Sequence, residues 1–342
     1  MTRHPRVCVV GVGAVGGLIA AKLAQAGYPV DVLARGEHLR AIEANGLALI
    51  EGQTRATVRV ATASDPTALG PHDVVFIAFK APSLVCSAGA LTPLLGPDTV
   101  LVPAMNGVPW WFFHRFGGRL VGTRLSSVDP GGAISRSLPA EQVIGSVVHL
   151  SSSIAAPGVI RRGFGNVLIV GEPSGERSGR LARVIKMLEQ GGFTVKPTPE
   201  IQREVWLKLW GNMNMNPISA LTGSTADAVL DDPLTAQLVR DMMEEAAAVG
   251  RALGIEMSMT ASERIAVTRE LGAFKTSMLQ DLESGRPLEI DAILGAPCEI
   301  GDRLGIPMPF SKAVLGLTRQ RARNLGLYAY EAGGPTVKPL PS

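Results

Sequence analysis

Six residues near the amino terminus, Gly11-Val12-Gly13-Ala14-Val15-Gly16, limit what this chain can fold into more than any other feature of it. They follow a short β-branched run, Val7 to Val10, and open a stretch of helical spacing, Ala14 to Ala26, that Gly27 stops. A strand that passes through such a turn into a helix is the start of a dinucleotide-binding βαβ unit. Gly11 permits the tight turn, Gly13 leaves room for a pyrophosphate to approach the backbone, and Gly16 lets the helix pack closely on the strand. The helix amino terminus then faces the phosphate charge. Glycines in this spacing can also serve only as a turn; the strand before them and the helix after them favour the cofactor reading.

The segments that follow continue the alternation. Val30 to Ala34, Val74 to Phe79 and Val100 to Val102 read as buried strands, with helical stretches at His38 to Asn45 and Ser83 to Leu94. This predicts a mostly parallel sheet covered by helices on both faces. From about Val143 the pattern turns β-rich, at Val143 to Ser151, Gly158 to Arg161 and Val167 to Val170, then gives a helix at Gly179 to Gln190 and a strand at Thr194 to Lys196. These segments are expected to extend the first sheet. Around Pro197 to Pro199 the pattern becomes long helices, up to a Gly/Pro-rich tail after Ala332. The expected fold class is α/β, an N-terminal Rossmann-type doubly wound sheet followed by an all-helical C-terminal domain. The domains are expected at 1–199, binding the cofactor, and 200–342, binding substrate and carrying catalysis. A chain of 342 residues exceeds the size at which single cores stop growing, in keeping with two domains.

Composition removes several function classes. A hydrophobic fraction of 46% with 18% charged residues and a mean hydropathy of +0.21 excludes a disordered chain. Formal charge is only +3, and the basic residues form no run beyond Arg161-Arg162, so neither nucleic acid nor a membrane surface is an expected partner. Three scattered cysteines, Cys8, Cys86 and Cys298, fit neither a disulfide framework nor a zinc site, so no metal is expected and the compartment reads as reducing and cytoplasmic. Arg3 and Arg6 before the uncharged stretch Val7 to Ala21 imitate a secretory signal, but the glycines within that stretch argue against one.

Three polar features stand out. The second strand ends Leu33-Ala34-Arg35, where NAD-binding folds place an acid. A guanidinium there meets a 2′-phosphate and favours NADPH, unless Asp31 holds the ribose instead. From Val205 to Leu221 the sequence carries a single charge, Lys208, and Lys208, Asn212 and Asn216 follow one another at i, i+4 and i+8 on one side of a helix, with Asn214 pointing elsewhere. Pro217 is expected to end or kink that helix near Asn216. A lysine in apolar surroundings loses its proton more readily and suits a general acid; the plainer reading pairs it with Glu204 at i−4. Further on, Ser277 and Asp281 share a helical face, Ser284 to Pro287 breaks the chain, and Glu289 is expected in the first turn of a new helix, where an acid can simply complement the helix dipole.

The glycine loop, Arg35, Phe79-Lys80-Ala81, Asn106-Gly107-Val108, Lys208-x3-Asn212-x3-Asn216-Pro217, and Ser277 to Asp281 followed by Glu289-Ile290-Asp291 together resemble ketopantoate reductases (2-dehydropantoate 2-reductases) in order and spacing over most of the chain. The resemblance implies NADPH-dependent reduction of a 2-oxo acid in a cleft between the two domains, with Lys208 as general acid. It further implies that Asn106, Asn212, Asn216 and Ser277 hold the substrate, that Glu289 accepts from its hydroxyl, and that Arg35 and Lys80 contact the cofactor along with the glycine loop and Asn106. A homodimer is compatible with it. Trp110-Trp111-Phe112-Phe113 and the segment Asp129 to Gln142 depart from the family pattern: the aromatics read either as helix packing or as a pocket reshaped for a bulkier oxo acid, the segment as a surface loop or a lid. Two other readings remain open at this level. One is a 3-hydroxyacid dehydrogenase of the 6-phosphogluconate type, which has its own Lys-x3-Asn pair; the other is a non-catalytic NADPH sensor.

Overall fold

The computed structural model describes residues 4–328; Arg3 and the tail after Ala332 lie outside them. The chain divides into two compact units, the first built from the stretches up to Met105 and from Ala133 to Gln202, the second from Asn106 to Gly132 and from Arg203 onward. The second division follows Gln202, and Asn106–Gly132 belongs with the second unit.

The strands of the first unit are β1 (Val7–Val10), β2 (Val30–Leu33), β3 (Leu47–Glu51), β4 (Thr54–Val58), β5 (Ala61–Ala63), β6 (Val74–Ile77), β7 (Val100–Pro103), β8 (Gly145–Ala156), β9 (Val159–Gly171) and β10 (Thr194–Pro197). Its helices are α1 (Ala14–Gln25), α2 (Gly36–Asn45), α3 (Ala81–Ser87), α4 (Ala133–Ser137) and α5 (Gly179–Gln190). One sheet has the order β5-β2-β1-β6-β7, all parallel, with Val7 opposite both Val30 and Val74. The strand order reverses between β1 and β6, the point at which open parallel sheets leave a crevice at their carboxyl ends.

The β-rich segments do not extend that sheet. They form a second one, β10-β9-β3-β4 with β8 on β9, in which the two expected strands at Gly158–Arg161 and Val167–Val170 are one continuous strand. The reason lies in α1. Its sequence, AVGGLIAAKLAQ, is apolar nearly all round, and a helix without a polar face must be covered on more than one side. It lies against β1 and β2 of the first sheet and against β3, β8 and β9 of the second. Gly17 allows the close approach, since a Cβ there would come within 2.6 Å of Ile160 Cδ1. The one charge on α1, Lys22, is met by Glu51 of β3 at 3.1 Å. The expected helix over Ser83–Leu94 is α3 followed by a 3-10 segment, Ala88–Leu94, and Pro93 in it denies the α-helix its hydrogen bond.

The second unit is helical: α6 (Ile201–Thr222), whose first two residues belong to the first unit, then α7 (Ala226–Asp231), α8 (Pro233–Ala252), α9 (Ala261–Glu270), α10 (Ser277–Glu283), α11 (Ala296–Leu304) and α12 (Pro309–Asn324). The aromatic run is part of its core. Trp110 to Phe113 are all buried, and the Phe112 ring meets Phe113 edge-on at 5.2 Å, Phe116 at 5.5 Å and Trp206 at 6.1 Å. Segment 129–142 is ordered in short helices with Ile134 and Leu138 buried, and α4 packs on the Ala88–Leu94 segment. Among the described residues no helix is long and apolar enough to cross a membrane, and no acid, histidine or cysteine cluster could hold a metal.

Gly16→Ala tests the closeness of α1 to β1. The new Cβ would lie 2.2 Å from Gly11 O and 2.8 Å from Ala78 Cβ, so the backbone must give way. Thermal denaturation should show a loss of about 1–3 kcal/mol, the usual cost of overpacking a tight site.

Candidate active site

In the first unit three loops leave the carboxyl ends of adjacent strands. The loop after β1 is the glycine turn. Gly11 has φ of +89°, and a Cβ on it would strike Phe79 Cδ1 at 2.6 Å, so the residue can only be glycine. A Cβ on Gly13, by contrast, would meet no protein atom within 4 Å. Gly13 caps α1 without any side-chain hydrogen bond, and the first turn holds no acid, which leaves the positive end of the helix uncompensated. The loop after β2 presents Arg35, exposed at the amino cap of α2, and the loop after β6 presents Lys80 at the amino cap of α3. These features fit a dinucleotide: an open, uncapped helix terminus for a pyrophosphate at the reversal of strand order, and cations on the flanking loops. Asp31 is engaged elsewhere. Its Oδ2 is 2.7 Å from His72 Nε2 and 2.9 Å from Arg6 Nη2, and the hydrogen bond with His72, joined by that with Arg6, holds its carboxyl below the usual range.

In the second unit the polar stripe on α6 exists as expected. Lys208 Nζ donates to Asn106 Oδ1 at 2.8 Å. The side chain is half-buried, yet the ammonium itself is withdrawn from water. Burial lowers its pKa from 10.5 to about 8, against the opposing effect of the Glu289 carboxylate, which favours the charged form. Glu204 forms its ion pair with Arg203 at 3.5 Å. Asn216 Nδ2 reaches Ser277 Oγ at 3.4 Å, while Asn212 is half-buried on the same side of the helix. Asn214 does point elsewhere, donating to Trp210 O at 2.7 Å. Pro217 neither ends α6 nor stops the helix at Asn216; five residues follow it, anchored by buried Ile218 and Ala220 and by Ser219, whose hydroxyl donates to Ser224 O at 2.6 Å.

Glu289 is buried and stands just before a helix rather than in its first turn, and that helix opens with a π-turn, Asp291–Gly295. Such turns recur at functional sites. The cause and effect here are local. The Ala296 N–H bonds Asp291 O, five residues back, and Pro297 has no N–H to offer Ala292. Ala292 O instead accepts from Val108 N–H at 2.8 Å. The adjoining Gly107, at φ of +81°, lies so close that a Cβ would come within 2.5 Å of the Ala292 carbonyl. This tether sets Asn106, and through it the Lys208 ammonium. Asp291, at the start of the turn, is held by Arg319 Nε at 3.1 Å and by Tyr328 Oη at 3.1 Å. Sequence reading did not find the tether; its only trace is a proline inside a helical pattern after Glu289-Ile290-Asp291.

Two family models match consecutive stretches of the chain. Residues 7–175 match the family model described as Ketopantoate reductase PanE/ApbA, and residues 200–322 match that of its C-terminal domain. The chain belongs to the ketopantoate reductase family. A curated 2-dehydropantoate 2-reductase of Mesorhizobium japonicum is 46% identical over 325 residues, covering 95% of this chain and 100% of that one. A Ralstonia solanacearum MolK2 crystal structure, provisionally assigned as a ketopantoate reductase, superposes with a TM-score of 0.91 at 48% identity, over 94% of this chain and 99% of the other. The 2-dehydropantoate 2-reductase of Geobacter metallireducens GS-15 gives 0.80 at 28% identity, over 92% and 99%. Membership in the ketopantoate reductase family makes the chain an oxidoreductase acting on a CH–OH group, and the family uses NADPH.

The electrostatic part of this geometry is testable without turnover. Glu289→Gln removes the charge that supports the ammonium, so Lys208 should titrate below about 8, as followed by NMR of a labelled lysine side chain.

Proposed function

We propose that this protein reduces 2-dehydropantoate to pantoate with NADPH, and that Lys208 is the general acid. The observation that carries the reading is the Lys208 ammonium, withdrawn from water, bonded to Asn106 and facing the Glu289 charge. Bound NADPH supplies a hydride to the carbonyl carbon. Lys208 gives its proton to the carbonyl oxygen as negative charge develops there, and a pKa brought down toward neutrality makes that transfer easier than from an ordinary lysine. Asn106 holds the ammonium in place, while Asn212, Asn216 and Ser277 bind the polar groups of the substrate. Glu289 accepts from the substrate hydroxyl and keeps Lys208 charged in the resting state.

Gly11, Val12, Gly13, Ala14, Val15 and Gly16 hold the pyrophosphate, and Asn106 contributes to the cofactor site as well. Arg35 recognises the 2′-phosphate bidentately, with Lys80 as the second cation. Cofactor binding is assigned to 1–199 and substrate binding to 200–342, with Asn106 as the contribution of the earlier stretch. We assign the protein to the cytoplasm; a homodimer is compatible with this reading.

Turnover of 2-dehydropantoate, followed by NADPH absorbance, should fall about 10²- to 10⁴-fold in Lys208→Ala while NADPH binding persists. Reduction requires the protonated amine, so its rate should be level below about pH 8 and decline above it; oxidation of pantoate, which needs the neutral amine, should rise through the same range. Arg35→Glu should raise the KM for NADPH about tenfold or more and leave that for NADH nearly unchanged, a charge-assisted hydrogen bond being lost in one case only.

A further inference from the structure

A turn at the end of α12 brings the chain against the segment that carries Glu289. The turn is made by Gly326, whose φ of +70° lets its own N–H bond Arg323 O at 2.9 Å and the Leu327 N–H bond Ala322 O at 2.8 Å. This double closure satisfies carbonyls that the helix leaves over and reverses the chain. Leu327 and Tyr328 then meet the residues on either side of Glu289. Leu327 O accepts from Leu288 N–H at 3.4 Å, and Tyr328 Oη donates to Asp291 Oδ1 at 3.1 Å.

Asp291 is the fixed point of this contact. Its Oδ1 also accepts from Arg319 of α12, through Nε at 3.1 Å and Nη2 at 2.5 Å. The pair rests on the bare backbone of Gly295, where a Cβ would lie 3.1 Å from Asp291 Oδ1 and 3.3 Å from Arg319 Nη2. Two arginines hold the Tyr328 ring, with Arg319 Cζ 5.9 Å and Arg323 Cζ 5.5 Å from its centroid. Burial, and after it the Asp291 charge, push the Tyr328 hydroxyl above the usual tyrosine range, so it stays a donor. Asp291 in turn opens the π-turn whose Ala292 carbonyl tethers Val108 beside Asn106. Glu289 thus stands between two anchored neighbours, Leu288 and Asp291. The force a carboxylate exerts on a nearby charge depends on distance, so whatever fixes the backbone at 288–291 also sets that force.

We propose that Tyr328 and Arg319 are positioning residues for the reaction: through Asp291 they hold the Glu289 carboxylate where it acts on Lys208 and on the substrate hydroxyl. This rests on the catalytic reading above. Other charged groups on the elements that meet α6 are engaged elsewhere. Glu204 of α6 is paired with Arg203, and on α10, which meets α6 at Asn216, Asp281 is paired with Arg286 and Glu283 with Lys275. Arg264 of α9 lies over Gly211 and donates to Thr268, and Glu245 of α8 accepts from the first N–H groups of α12. The Glu289 charge opposes the desolvation of the Lys208 ammonium. Loosening Asp291 weakens that opposition, and Lys208 then releases its proton at a lower pH.

The test uses the full chain as wild type, Tyr328→Phe and Arg319→Lys. Neither substitution changes a charge, so a shift at Lys208 reports movement of Glu289. NMR of a labelled lysine side chain, without substrate, should show Lys208 titrating below about 8 in Tyr328→Phe. The same substitution added to Glu289→Gln should move it no further, because both act through one carboxylate. In turnover, kcat for 2-dehydropantoate should fall about two- to tenfold, the worth of one hydrogen bond, with the decline toward high pH beginning earlier and the KM for NADPH unchanged. A Lys208 midpoint that keeps its wild-type value in Tyr328→Phe, or that falls equally with Glu289 already replaced, overturns the proposal. Should Tyr328→Phe not fold, Arg319→Lys is judged by the same two criteria. Failure of the wild type to reduce 2-dehydropantoate defeats the catalytic reading alone, since the titration needs no turnover and still judges whether Tyr328 positions Glu289.

Discussion

The second unit is organised around one ammonium kept out of water. A lysine at the centre of an apolar helix is tolerated only where something compensates its desolvation, and here the Asn106 amide oxygen and the Glu289 carboxylate charge contribute to that. Each of these comes from a different part of the chain, Asn106 after β7 and Glu289 before the π-turn. The tether from Val108 to Ala292 joins the two parts, so the lysine, the amide and the acid are fixed as a set. Glu289 caps the amino end of the helix that begins at Ile290, its carbonyl accepting from Ile293 N–H at 3.2 Å, and its buried carboxylate also acts on Lys208.

The first unit depends on a different constraint. A helix as apolar as α1 cannot be a surface helix, and its demand for cover on both sides explains why residues 143–171 build a separate sheet instead of adding strands to the first. The same helix offers its amino terminus, free of acids and side-chain caps, at the reversal of strand order. The element that holds the two sheets together is thus also the one that can face a cofactor phosphate.

Much of this was legible in the residues. The glycine loop, β1, β2, β6 and β7, the helical second half and the Lys208 stripe follow from local pattern, because each is decided within about a dozen neighbouring positions. What escaped depends on partners far away in sequence. The second sheet is invisible until α1 is known to need it. Pro217 reads as a helix end by its own geometry, yet buried neighbours carry α6 past it. The aromatics at 110–113 suit a pocket or a core equally well until Trp206 is found against Phe112. Asp31 competes with Arg35 for a cofactor role only until His72 and Arg6 are seen to hold it. The hold of Tyr328 on Asp291 joins residues 37 positions apart and leaves no periodic trace at all.

The π-turn before α11 has a bearing on how this sequence can drift. Its i to i+5 closure accommodates one residue more than a regular turn would, and that surplus is what turns Ala292 O toward Val108. Removing any one residue between Asp291 and Pro297 would let the helix run regularly and would swing Glu289 by about a third of a revolution relative to α11. Side chains along this stretch are therefore open to exchange within the limits of packing, but its length is not, and natural variation should spare the count of residues there even where it changes their kind.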